Sequence, residues 1–248
     1  CCPYLVADKN CKIYPQAKRR LVRTGFKKQG HLMHGNKHSA FESVRRIYPV
    51  SRETFERLEL FVDRLQTWQK KTNLIAPSTL DEIWTRHVSD SIQCLAIKPD
   101  ASRWVDIGSG GGFPGLVIAA VLVGQEDASI TLVESNQKKC AFLRQVIRQM
   151  GSEARVVSSR IEAATQDIET PQVVTARALA ELPLLLELSA PWLSDGAVGL
   201  FHKGREYRQE VAKCNGTWSF DLVEHESRVS PDSVLLEVRN LKPETKQR

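Results

Sequence analysis

The stretch Val105-Asp106-Ile107-Gly108-Ser109-Gly110-Gly111-Gly112-Phe113-Pro114-Gly115 decides how the chain is read. Five glycines fall within residues 108–115, between a short apolar run at 103–107 and a longer one at 114–123. That succession reads as strand, tight loop and helix. Glycine lets the backbone turn sharply and approach a ligand closely, and Pro114 suits the first position of a helix whose free N–H groups face the loop. In open α/β sheets such a loop lies where ligands bind. The dinucleotide fingerprint G-x-G-x-x-G would need glycine at 113, where Phe113 stands. A bulky ring there obstructs the close helix–strand packing that a pyrophosphate cradle requires, so an NAD(P)-dependent oxidoreductase is disfavoured.

The glycines instead fall at 108, 110 and 112, giving Asp-x-Gly-x-Gly-x-Gly after the strand. This is the pattern of S-adenosylmethionine (SAM) methyltransferases, whose ligand has a cationic sulfonium and an amino-acid end but no phosphate. Gly110 is then a cofactor-binding candidate, and the Asp106 carboxylate takes charged or water-bridged contacts from the methionine ammonium. Glu134, ending the next apolar run, is placed to accept both ribose hydroxyls. An acid in that place does not separate the two cofactors, because NAD enzymes use one too.

Downstream, strands and helices alternate. Residues 129–134, 154–158, 173–176 and 197–202 read as strands, and 136–150, 182–193 and 204–213 as helices, the first stopped by Gly151. Residues 220–224 and 234–239 follow with no helix between them and predict an antiparallel hairpin. Alternation of this kind gives an α/β fold with a mostly parallel sheet covered on both faces.

Upstream, Phe55, Leu58, Phe61, Val62, Leu65 and Trp68 recur at helical spacing, with Ser51 as cap and Glu53 in the first turn. Pro77 interrupts. Ser78 with Asp81, and Thr79 with Glu82, match the capping-box spacing, so a second helix is expected there, turning Leu80, Ile83, Trp84, Val88, Ile92 and Leu95 inward. Residues 51–98 are read as a helical cap and 99–248 as the SAM-binding domain. Residues 1–50 hold 11 Lys/Arg against two acidic residues, whereas 51–248 hold 24 against 27. With Lys18, Arg19 and Arg20 set among Gly25, Gly30 and Gly35, segment 1–50 is expected to be a basic, disordered extension. An RNA-binding arm is the alternative.

At 248 residues, 42% apolar and 26% charged, the chain has a globular composition, which excludes collagen-like and wholly disordered classes. The longest uncharged stretch, 107–125, contains six glycines and a proline, and its continuous apolar part is eight residues, too short for a bilayer. No apolar run of a secretory signal opens the chain, so a cytoplasmic protein without a membrane partner is expected. Cysteines at 1, 2, 11, 94, 140 and 214 form no CxxC pair, so reduced thiols and no metal are expected.

Beyond the glycine loop, a series of short motifs occurs in order: Asn73-Leu74, Arg86-His87-Val88-Ser89-Asp90-Ser91, Glu134 followed by Lys138-Lys139 and Phe142-Leu143, Arg160-Ile161-Glu162, Thr175-Ala176-Arg177-Ala178 and Lys203-Gly204. Together with residues 106–115 they resemble the bacterial RsmG (GidB) family over about residues 52–241, loosely from Arg205 onward and with no counterpart for 1–50. The resemblance implies a class I SAM-dependent methyltransferase: a Rossmann-like, mostly parallel seven-stranded sheet with an N-terminal helical cap. It implies methylation of N7 of a guanosine in 16S rRNA of the small ribosomal subunit, with SAM as cofactor and S-adenosylhomocysteine as product. By matching motifs, Gly108 and Phe113 contact SAM, Ile161 and Glu162 border the adenine, and Arg177 is a further SAM-site residue. His202 matches no motif and carries nothing over. A monomer is expected.

Guanine N7 has an in-plane lone pair and no proton to lose, so no general base is expected. In-line positioning in a dry, preorganised site should supply the rate. Pyrimidine C5 transfer would need a cysteine nucleophile after the fourth strand, and adenine N6 transfer an Asn/Asp-Pro-Pro-aromatic loop. Thr175-Ala176-Arg177-Ala178 stands there instead. His87 reads equally as a packing histidine or a contact to RNA or ligand, and Lys138 and Lys139 as exposed polar positions or RNA contacts. The body is slightly acidic, against the basic face usual in RNA binders. Whether Arg52, Arg57, Lys70, Lys71 and Arg86 gather on one side is open in the sequence. The remaining alternatives are a small-molecule SAM methyltransferase with the same cofactor site and a nonenzymatic RNA-binding protein built on an inactive methyltransferase fold.

Overall fold

The computed structural model describes residues 34–244. Seven strands form one sheet: β1 (Arg103–Ile107), β2 (Ser129–Val133), β3 (Arg155–Val157), β4 (Val173–Arg177), β5 (Val198–Lys203), β6 (Trp218–Glu226) and β7 (Val234–Pro243). Their order is β3-β2-β1-β4-β5-β7-β6, with β1 to β5 mutually parallel and the expected β6–β7 hairpin antiparallel at one edge. The order reverses beside β1, so the connections leaving β1 and β4 diverge and open a crevice at the strands' carboxyl ends.

Alternate residues along each strand serve opposite faces. Trp104, Leu132, Val173 and Leu200 join one core cluster, and Val105, Val133, Val174 and Phe201 the other. Helices α4 (Gly115–Leu122) and α5 (Gln137–Met150) cover the first face, with α2 (Arg52–Gln69) and α3 (Asp90–Ile97) of the cap packed over them. Helices α6 (Ile161–Asp167), α7 (Leu182–Ser194) and α8 (Tyr207–Ala212) contribute to the second. The local signals act as read: Ser51 Oγ accepts the Thr54 N–H at 3.1 Å, Asn136 caps α5, and Gly151 ends it at φ 65°. A charged tie joins cap to sheet, where Lys98 reaches the buried Glu237 of β7.

Three expectations are corrected. Helix α1 (His34–Arg45) packs Ala40 and Val44 into the first core cluster, and the Phe41 ring meets Phe55 edge-on with centroids 4.9 Å apart. Residues 34–50 are thus not a disordered extension, and the cap begins before residue 51. The part of that reading covering 1–33 lies outside the described residues. Ala40, Phe41, Val44 and Ile47 carry a helical period of their own, diluted when averaged over a Gly- and Lys-rich segment.

The second cap helix also differs from expectation. Residues Pro77–Thr79 form a 3-10 turn, and the helix opens later as a π-helical segment, Ile83–Ser89, before continuing as α3. The five-residue interval between buried Ile83 and Val88 fits the wide π turn, which admits an extra residue and re-aims the side chains that follow. Finally, α6 falls where no element is expected. It buries only Ala164 and so displays no apolar stripe.

Among the described residues no helix is long and apolar enough to cross a membrane, and no three His, Cys, Asp or Glu side chains gather as a metal site. Cys94, Cys140 and Cys214 are buried free thiols, while Cys1, Cys2 and Cys11 lie outside the described residues.

Candidate functional site

A cavity of about 1000 Å3 opens at the carboxyl ends of β1, β2 and β4, where the strand order reverses. The glycine loop forms one wall. Gly108 and Gly110 hold left-handed φ values of 63° and 53°, which an L side chain adopts only at a cost of about 1–2 kcal/mol each. Space is short as well: a Cβ at 108 would lie 2.5 Å from Leu179 Cδ1, and one at 111 would lie 2.7 Å from the Leu74 carbonyl oxygen. The loop is therefore bare backbone pressed between β4's exit and the cap. Glu134 fixes its position, Oε2 accepting the Gly110 N–H at 2.9 Å and Oε1 the Asn136 N–H at 2.7 Å. Each oxygen retains a second lone pair for a ligand hydroxyl.

The floor is a network centred on Arg177, whose side chain is 14% exposed. Nη1 donates to the Arg86 carbonyl at 3.0 Å and to Asp90 Oδ2 at 3.4 Å, while Nη2 donates to His87 Nδ1. The guanidinium carbon also lies 4.9 Å from the Phe113 ring centroid. Burial lowers the Arg177 pKa and Asp90 opposes that shift; the group stays charged. A guanidinium can only donate, so His87 Nδ1 must accept and the ring proton belongs on Nε2. Nε2 then donates to Thr79 Oγ1 at 2.7 Å, and Thr79 Oγ1 donates to the Ala76 carbonyl at 2.8 Å. Burial, followed by the charges of Arg177 and Arg86, pulls the His87 pKa down to about 3. His87 is thus neutral at pH 7, with both nitrogens engaged. His202 donates through Nε2 to the Asp90 carbonyl at 3.1 Å, and burial likewise holds its pKa below the ordinary value.

Residues 73–76 of the cap form the facing wall. The Gln69 side chain, at the end of α2, imitates a peptide group toward them: Oε1 accepts the N–H groups of Leu74 and Ile75 at 2.8 and 3.1 Å, and Nε2 donates to the Ile75 carbonyl at 2.8 Å. Beside β4, the loop 178–181 is held by Lys203, which bonds the Ala180 carbonyl and sits 2.6 Å from Glu210 Oε2.

Of the residues singled out in the sequence, Gly108, Gly110, Phe113, Glu134, Ile161, Glu162 and Arg177 line this one cavity. Asp106 does not. It shares parity with Trp104 and points to the face covered by α4, fully buried beneath the loop. Its Oδ1 accepts the Thr175 hydroxyl at 2.8 Å, while Oδ2 has no hydrogen-bond partner and lies where a Cβ on Gly115 would come within 2.6 Å. Burial pushes its carboxyl up to about 6, against hydrogen bonds that act to lower it. The expected contact with a ligand ammonium is corrected: Asp106 braces the loop from behind. Gln69, Thr79 and Asp90 went unselected as site residues. Asp90 falls in the motif 86–91 and Thr79 in a capping-box pair with Glu82, but neither pattern assigns its side chain to the cavity, and Gln69 has no local signal.

A seven-stranded sheet whose order reverses beside β1 and which ends in β7, antiparallel to β5, and β6, with a glycine loop of this spacing after the first strand, is the class I SAM-dependent methyltransferase fold. The chain superposes on an O-methyltransferase from Bacillus cereus in complex with SAH, with a TM-score of 0.53 at 12% identity over 81% of this chain and 97% of that one. A methyltransferase from Geobacter sulfurreducens gives a TM-score of 0.50 at 10% identity over 72% and 87%. By sequence the chain belongs to the GidB family, rRNA small subunit methyltransferase G, which it matches over residues 54–235. Relatives named ribosomal RNA small subunit methyltransferase G are 52% identical in Brucella ovis, over 83% of this chain and 97% of that protein, and 52% identical in Brucella anthropi, over 82% and 95%.

Proposed function

We propose that this chain, a cytoplasmic monomer, methylates N7 of a guanosine in 16S rRNA of the small ribosomal subunit with SAM as methyl donor. The observation that carries the chemistry is the engaged, neutral His87: its Nδ1 accepts from Arg177 and its Nε2 donates to Thr79, so this imidazole has no lone pair left to take a proton, which suits an acceptor with no proton to remove.

The cavity fits the cofactor. Its volume of about 1000 Å3 is at the upper end for small-molecule sites, room for a nucleoside and a second planar base. Glu134 takes the ribose hydroxyls, Ile161 and Glu162 border the adenine, and the backbone of Gly108 and Gly110 with the Phe113 ring holds the amino-acid end. Bound SAM supplies an electrophilic methyl group on a cationic sulfur. The chain's own residues position and shield. Arg177, pinned by its acceptors, cannot swing toward the reacting atoms, and Asp90 balances its charge, so the guanidinium at the floor does not oppose positive charge moving from sulfur to purine.

Incubating the protein with methyl-labelled SAM and either 16S rRNA or intact small subunits, then mapping the product, tests this reading. Label on a guanine N7 is expected. Label on another atom, label only in a metabolite panel, or binding of NADH in place of SAM overturns it.

A further inference from the structure

Neither residues 64–80 nor residues 135–152 contain an acidic side chain. The first carries Arg64, Lys70 and Lys71; the second carries Lys138, Lys139, Arg144 and Arg148. The fold packs them together. Arg64 Nε donates to Gln149 Oε1 at 2.8 Å, and Trp68 Nε1 to Gln145 Oε1 at 3.1 Å. Residue number rises along α2 as it falls along α5, so the two helices run antiparallel, and the end of α2 at Lys70 and Lys71 lies toward the start of α5. That end is also the cavity mouth, since Asn73 and Lys139 both line the cavity.

Lys70, Lys71, Lys138, Arg144 and Arg148 are exposed, and among the described residues none of them is in an ion pair. From Arg148 back to Lys138 the α5 row runs on the order of 15 Å at 1.5 Å per residue. The opposite layer has the reverse balance: residues 161–195 hold six acidic side chains and one basic, the buried Arg177. The cations Arg205, Arg208 and Lys213 are each paired, with Asp232, Glu224 and Glu181. The net acidity of the body therefore conceals a polarised surface.

We infer that the α2–α5 face is where the RNA substrate lies, its phosphate backbone crossing from Arg148 and Arg144 toward Lys70, Lys71 and Lys138 to deliver the target base at the mouth. The partner is a polyanionic strand, because unpaired exposed cations in a row release counterions on binding phosphates and offer no apolar surface to a protein. The inference rests on the proposed rRNA methylation and deepens it.

The test compares Arg144→Glu/Arg148→Glu with Arg103→Glu/Lys242→Glu, an equal charge change at exposed positions at the start of β1 and on β7. Affinity for 16S rRNA is measured across a salt series, with S-adenosylhomocysteine binding and methyl transfer on the same preparations. The α5 pair should bind rRNA about tenfold or more weakly, with a slope of log affinity against log salt shallower by roughly 1.4–1.8, the value for two lost phosphate contacts. Its affinity for S-adenosylhomocysteine should be unchanged and its KM for rRNA raised, with kcat retained. Wild-type RNA affinity and slope in the α5 pair overturn the inference, as does an equal loss in the control pair. A wild-type protein that binds rRNA by this face yet transfers no methyl group to it sinks the proposed function instead.

Discussion

The cavity floor and the α2–α5 face both concentrate positive charge, and they treat it in opposite ways. On the floor, Arg177 meets Asp90, the Arg86 carbonyl, His87 and the Phe113 ring. On the face, Arg144 and Arg148 stand one helical turn apart with no acid between residues 135 and 152. Desolvation explains the difference. A charge taken from water costs several kcal/mol unless it is paired, whereas an exposed cation is hydrated and its pairing is worth about 1 kcal/mol or less. Charge buried at the floor must be satisfied within the fold, while charge on the face can be left for a partner.

Breaking the pair at the floor should have the largest effect on stability. Asp90→Asn leaves the Arg177 guanidinium without its counter-charge, and a loss of about 3 kcal/mol is expected, read as a lower urea midpoint at unchanged m. An unshifted midpoint would mean the floor tolerates unpaired charge as the face does. Gly108→Arg places a side chain against Leu179 at a left-handed position. It should weaken S-adenosylhomocysteine binding at least about 100-fold by calorimetry while sparing RNA affinity. Equal loss of both ligands would erase the separation between site and surface.

Acid titration sharpens the comparison further. His87, held near 3 when folded against an ordinary 6.5, contributes stability that is fully present above pH 6.5 and lost as pH falls toward 3. Asp106, raised to about 6 from 3.8, works in the other direction: its contribution is fully present below pH 3.8 and lost as pH rises through 6. Between about pH 4 and 6 the two slopes oppose. Asp106→Asn removes one of them, so its unfolding free energy should rise with pH more steeply than the wild type's by about 1.4 kcal/mol per unit, measured by urea titrations at pH 4, 5 and 6. Parallel curves would show that Asp106 is ionised throughout. The smallest effect is expected on the face, where Arg144→Glu/Arg148→Glu should shift stability by no more than about 0.5 kcal/mol in the same urea assay.

Much of the fold was legible because its signals are local. Phe113 in place of a glycine set aside a dinucleotide loop, Ser51 and Gly151 marked helix ends, and alternating runs marked the sheet. Helices α1 and α6 were lost for opposite reasons. The three apolar residues of α1 sit beside a glycine- and lysine-rich stretch, and α6 has almost no buried side chain to declare it. Among site residues the glycines, Glu134 and Arg177 were found because a strand end or a loop places them wherever the strands go. Gln69 and Thr79 were not, because a glutamine ending a helix and a threonine before one look like any exposed polar residue until the segment they hold is known.

The order of residues alone determined that this chain builds a parallel sheet with a glycine loop over its first strand, since chain stiffness, periodicity and capping act between near neighbours. Packing decided the rest. It turned Asp106 away from the cavity, set the His87 proton on Nε2 by giving Nδ1 an arginine, and laid two acid-free stretches, joined by contacts 77 and 85 positions apart in the chain, along one face of the cavity mouth. Burial and electrostatic potential depend on which distant segments share a surface, and no local pattern along the chain encodes that.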